Sequence, residues 1–190
     1  MSLRDTATGY GWVSIGLHWS SAIAIVYLLF LGSSIGNLEG DDRAAAIVRH
    51  TSIAIVSYAL LVVRVAWRFF YGHPEPTPAQ RGWAFTFGKW VHTTMLVALV
   101  LMLISGPAMH WAYGNPIVVF DWFVIPGPFL PSPTLAAKLH TVHTYGALLI
   151  FIDVLLHIGG VYKHTAFSHD GTLAKILIAS KDTARRRWRR

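Results

Sequence analysis

Four long apolar stretches, Leu17–Leu38, Ala45–Tyr71, Val91–Tyr113 and Ala137–Tyr162, constrain this chain more than any motif in it. A helix needs roughly 20 mainly apolar residues to cross the hydrocarbon core of a bilayer, and each stretch is that long. At 54% hydrophobic and 13% charged residues, the sequence is too apolar for a soluble domain of its size. The expected fold is all-α, an integral membrane four-helix bundle. Four helices of about 10–12 Å diameter leave room for little besides one domain over residues 1–190. The first stretch exceeds the roughly 7–15 residues of a signal-peptide core and no small-residue cleavage site follows it, so it reads as a retained helix.

Charge gives an orientation. The tail "KDTARRRWRR" carries much of the formal net charge of +7, and Arg64, Arg68, Arg81 and Lys89 flank the connection between the second and third stretches. The Leu38–Ala44 loop instead sets Glu39, Asp41 and Asp42 against Arg43, and Tyr113–Leu135 holds only Asp121. Basic residues favour the cytoplasmic side, which places both termini there in a multi-pass arrangement. A basic tail beside a membrane points to anionic lipid as its partner rather than to nucleic acid.

Within this apolar chain the histidines are the anomaly. The absence of cysteine excludes disulfides, thiolate-held iron–sulfur clusters and thioether-attached haem, so a redox centre must use other ligands. His143 and His157 stand on nearly one helix face with about 21 Å of rise between them. Two further histidines match their depths from other helices: His18 at the cytoplasmic end with His157, and His50 at the outer end with His143. Haem fits such bis-histidine sites, since a flat macrocycle between helices takes two axial imidazoles, whereas zinc prefers a tetrahedral ligand set. Spacing leaves rivals. His92 and His110 share one face of the third helix and suit interface roles such as hydrogen bonds to haem propionates. His140 is rotated about 100° from the line of His157. His73 and His169 fall in segments expected to be solvated.

Taken together, "YGWVSIGLHW", "RHTSIAI", "VVRVAWR", "GNP", and "LHTVHTYG" followed by "LLHIGGVYKH" and "DGTL" resemble the bacterial cytochrome b561 family over Tyr10 to Leu173. That resemblance implies two non-covalent b-type haems in four helices of the bacterial inner membrane, with His18, His50, His143 and His157 as iron ligands. It also implies ubiquinone as electron acceptor, and in one type of member superoxide as the periplasmic donor. Related cytochromes anchor dehydrogenases or hydrogenases, which makes a redox partner protein the alternative.

Other residues gain candidate roles beside these. His164 matches the position linked with quinone in the superoxide-oxidising type, and it lies about 20° round the face of His157 and about 10 Å nearer the cytoplasm. Snorkelling at the interface is its simpler reading. Arg64, on the face of His50 but deeper toward the inner site, and Arg68, one turn on, suit haem propionates or positive-inside anchoring. Asn115 and the loop "NPIVVFDWFVIPGPF" cap the outer site or form an aromatic belt. Asp153 departs from the family pattern, as a carboxyl hydrogen-bonded to a neighbouring helix or as part of a proton relay. The expected function is electron transfer from a small periplasmic donor to ubiquinone. A non-redox transporter with membrane histidines would lack b-type haem absorption.

Overall fold

The computed structural model describes residues 2–7, 9–71, 74, 82–168 and 171–180. His73, Arg81, His169 and the arginine-rich tail from residue 181 lie outside the described residues. The chain forms four long helices, α1 (Trp12–Ile35), α2 (Gly40–Phe70), α3 (Trp83–Ala112) and α4 (Pro133–Lys163). A hairpin of β1 (Ile117–Val119) and β2 (Phe123–Ile125) separates α3 from α4. After α4 come a π-helical turn, His164–Ser168, and a short helix α5 (Thr172–Leu177).

All four long helices are apolar and long enough to cross a membrane, and the protein is a multi-pass membrane protein. Their boundaries differ from the apolar stretches. α2 begins at Gly40 because Asp41 and Asp42, expected in a loop, occupy its first turn, where carboxylates favour the helix N-terminus. α3 begins at Trp83, so Lys89 sits within it and lies over the Phe85 ring. α4 starts at Pro133 behind Ser132, whose side chain accepts the Leu135 N–H. At α2 and α4, charge or a cap at the helix start extends the helix beyond the limits that hydropathy marks.

Large apolar residues cover the outside of the helices as well as filling the inside. Ile23, Phe30, Ile104 and Tyr145 point outward, each at least 60% exposed, whereas Ala98, Ala112, Ala136 and Ser52 are sealed inside. Small residues inside and large apolar ones outside are what helices surrounded by lipid require. They allow close backbone approach: a Cβ on Gly146 of α4 would come within 3.0 Å of Met102 Sδ on α3. Pro107 lies within α3 and cannot donate to the Leu103 carbonyl one turn earlier. The Tyr58 hydroxyl of α2 donates to that carbonyl instead, at 3.3 Å, which removes a polar group that lipid could not satisfy.

The helices associate as two antiparallel pairs. α1 packs on α2 and α3 packs on α4, whereas close approach between the pairs is sparse among the described residues. One end of the bundle carries the first and the last described residues and is called the terminal end. The other carries the β-hairpin and is called the hairpin end.

Candidate functional site

The space between the two helix pairs is bridged by histidines. At the terminal end, His18 of α1 faces His157 of α4 with ring centroids 6.1 Å apart. At the hairpin end, His50 of α2 faces His143 of α4 at 6.3 Å. Two imidazoles on opposite sides of one metal, each with a bond of about 2 Å, have centroids roughly 6 Å apart once the ring radii are added. A direct hydrogen bond brings rings closer. His92 of α3 makes one with His157, Nε2 to Nδ1 at 3.0 Å, and their centroids are 5.0 Å apart.

The backbone around the hairpin-end pair is cut back to admit the rings. A Cβ on Gly32 would stand 3.3 Å from His50 Cε1, and one on Gly106 would stand 3.2 Å from His143 Cε1. His143 Nδ1 is hydrogen-bonded to Ser105 Oγ at 3.1 Å, while the buried His50 Nδ1 has no hydrogen-bond partner among the described residues. Ser52, two residues beyond His50 and fully buried, accepts the Phe120 N–H at 2.8 Å and donates to the Val118 carbonyl at 3.3 Å. That one hydroxyl fixes the hairpin to α2, with Ile117 and Val119 buried beneath it. Phe120 turns the hairpin with φ of +45°, a left-handed conformation unusual for a bulky residue. Asn115 is exposed in the turn before β1, its N–H bonded to the His110 carbonyl.

At the terminal end the first and last described residues form the cover. Asp5 accepts the Gly11 N–H and the Ser14 hydroxyl, both at 2.7 Å, and Ser14 Oγ accepts Trp67 Nε1–H at 2.8 Å, tying α1 to α2. Ser2, Thr6 and Tyr10 each hydrogen-bond Ser180, and Trp19, next to His18, donates to the Ile176 carbonyl. Tyr10 lies in this cover, its hydroxyl held above the usual phenol range by burial, with Arg68 opposing that rise, Asp5 adding to it and Arg64 opposing it. Arg64 and Arg68 of α2 both act electrostatically on Tyr10 and so lie at this end.

Four residues singled out by sequence have other surroundings. His110 gives Nε2 to the Pro116 carbonyl at 3.1 Å. His140 is exposed on α4. His164 opens the π-helical turn, a distortion frequent at functional sites. The residue after it, Thr165, lines a cleft of about 370 Å³ together with Leu173, Ala174, Leu177 and Ile178 of the α5 region; His164 is not part of that lining. Asp153 is 4% exposed and its Oδ2 has no hydrogen-bond partner. Sequence reasoning missed Ser52, Ser105 and the contact of His92 with His157. A serine in an apolar helix was the available signal for the first two.

The donor set, two facing imidazole pairs with Gly32 and Gly106 against the hairpin-end rings, fits a planar metallocyclic group. Comparison with known proteins gives an independent line. Residues 9–178 match the family model described as prokaryotic cytochrome b561. The chain is 30% identical over 179 residues to cytochrome b561 homolog 2 of Escherichia coli strain K12, covering 93% of this chain and 95% of that protein.

Proposed function

The chain belongs to the prokaryotic cytochrome b561 family, whose members carry electrons through membranes with b-type haem, and from that premise we propose a single-domain cytochrome over residues 1–190 with two haems stacked across the bilayer. His18 and His157 would hold one, and His50 and His143 the other. The observation that supports this best is the pair of ring separations, 6.1 and 6.3 Å, across the space between the helix pairs. A haem so held supplies one-electron exchange at iron.

The chain's own residues divide the remaining work by end. Arg64 and Arg68 offer guanidinium groups to propionates at the terminal end, where charge-assisted pairs are strong. Asn115 and the β-hairpin cover the hairpin-end site and shape the approach of a small donor, for which superoxide is our choice. The acceptor is ubiquinone at the terminal end. The cleft of about 370 Å³ lined by Thr165 and the α5 region has a mainly apolar lining suited to a quinone. His164, one residue before Thr165, is the imidazole we assign to the quinone carbonyl. Two superoxide anions each lose one electron to give two dioxygen molecules. One ubiquinone takes up those two electrons and two protons to give ubiquinol.

We place the protein in the bacterial inner membrane with both termini cytoplasmic and the basic tail on anionic lipid. A docked redox partner is the second reading, favoured by Trp122 and Leu130, 70% and 87% exposed near the hairpin. Stopped-flow mixing with superoxide, with and without ubiquinone, separates the two. Fast haem reduction followed by quinone-dependent reoxidation supports the self-contained enzyme. Reduction only by a co-purifying dehydrogenase overturns it.

A further inference from the structure

α3 supplies neither histidine pair, yet it touches both sites. His92 Nε2 lies 3.0 Å from His157 Nδ1, and Ser105 Oγ lies 3.1 Å from His143 Nδ1. α3 and α4 run antiparallel in close contact, so the two contacts fall at opposite ends of one interface. In both α4 histidines the same ring atom, Nδ1, is committed to α3, which leaves Nε2 of each as the nitrogen available to a metal.

We propose that His92 and Ser105 are positioning residues that fix the tautomer and ring plane of the two α4 ligands and set the potentials of the two haems apart. The proposal rests on His157 and His143 being iron ligands. An imidazole that binds metal through Nε2 carries its proton on Nδ1 and gives it to a hydrogen-bond acceptor, which raises the basicity of the ligating nitrogen. For His157 that acceptor is an imidazole nitrogen. For His143 it is a hydroxyl oxygen, a weaker base. A more basic ligand stabilises ferric over ferrous iron, so His92 lowers the terminal-end potential by more than Ser105 lowers that of the hairpin end. His92 is accordingly hydrogen-bonded to a ligand without being one.

The test is redox titration of the purified holoprotein and its variants, with haem counted per chain and the ferric low-spin signals recorded by electron paramagnetic resonance. His92→Ala should keep both haems, alter one low-spin signal and raise one potential. A change of about tenfold in the ferrous-to-ferric ratio, the low end for losing such a partner, corresponds to about 59 mV. Ser105→Ala should shift the other haem by less. His92→Gln restores an acceptor and should return the potential toward the parent value, an effect that loss of packing would not produce. Unchanged potentials in both alanine variants, with two haems retained, overturn the proposal and leave the ligand assignment standing. Loss of a haem in His92→Ala with retention in His157→Ala makes His92 the ligand and overturns both. In the expected outcome His157→Ala and His143→Ala each lose one haem while the α3 variants lose none.

Discussion

The two ends of the bundle present their histidine pairs at nearly the same separation, 6.1 and 6.3 Å, but build the surroundings differently. At the hairpin end, one buried serine of α2 holds a β-hairpin whose inner residues are sealed, and two glycines make room for the rings. At the terminal end, the cover comes from the chain's first residues and its last described ones, held by Asp5, Ser14, Trp67 and Ser180. The shared spacing follows from the gap between two helix pairs, which is common to both ends. The differing covers decide what reaches each site. A local hairpin leaves little freedom, whereas a cover assembled from distant parts of the chain adjoins the cleft lined by Thr165 and the α5 region.

The largest effect that would test this comparison is loss of a haem. Alanine at His18 or His157 should remove the terminal-end haem alone, and alanine at His50 or His143 the other, so haem per chain falls from two toward one in each variant. Loss of both haems from any single variant would mean that the ends are not independent. Next, His164→Ala should leave haem content and reduction by the donor intact while slowing reoxidation by ubiquinone about ten- to a hundredfold. That is the rate equivalent of a hydrogen bond worth roughly 1.5–3 kcal/mol when charge-assisted. Parent-like reoxidation would move the quinone away from this residue.

Stability should also divide by end. Ser52→Ala leaves the Phe120 N–H without its acceptor and should cost about 1–3 kcal/mol in thermal unfolding. Asp5→Ala removes the acceptor at the start of α1 and should cost about 0.5–2 kcal/mol. Hydrogen exchange should then rise in β1 for the first variant and in residues 9–14 for the second. Exchange spreading to the opposite end in either case would contradict two separately held covers. The smallest effect is expected of Gly32→Ala and Gly106→Ala. Each places a methyl 3.2–3.3 Å from a hairpin-end ring, which must give by a few tenths of an ångström. The absorption band of that haem should shift while the terminal-end band stays in place.

Much of the bundle was legible because helix geometry is local. Once a stretch is helical, 1.5 Å of rise and 100° of turn per residue fix the relative depth and face of its side chains. His18 and His157 therefore shared a depth before any helix was packed, as did His50 and His143. The hairpin was hidden for the opposite reason. "PIVVFDWFVIP" carries aromatic and β-branched residues that suit a strand, a belt or a loop equally, and Ser52 of α2, far off in sequence, selects the strand pairing. The Pro107 site is similar: the proline exposed a carbonyl, and only the packed structure brings Tyr58 to it.

The sequence by itself determined four membrane-crossing helices and the depth of every histidine on them, because apolar length and helical rise act within a single segment. The tertiary structure decided that α1 pairs with α2 and α3 with α4, that the space between the pairs is bridged by four imidazoles, and that His92 meets His157 Nδ1. Those choices depend on how each helix is rotated against its neighbours. That rotation is set by small residues such as Ala98 and Gly146 fitting opposite large ones, a property of two surfaces together that neither segment specifies alone.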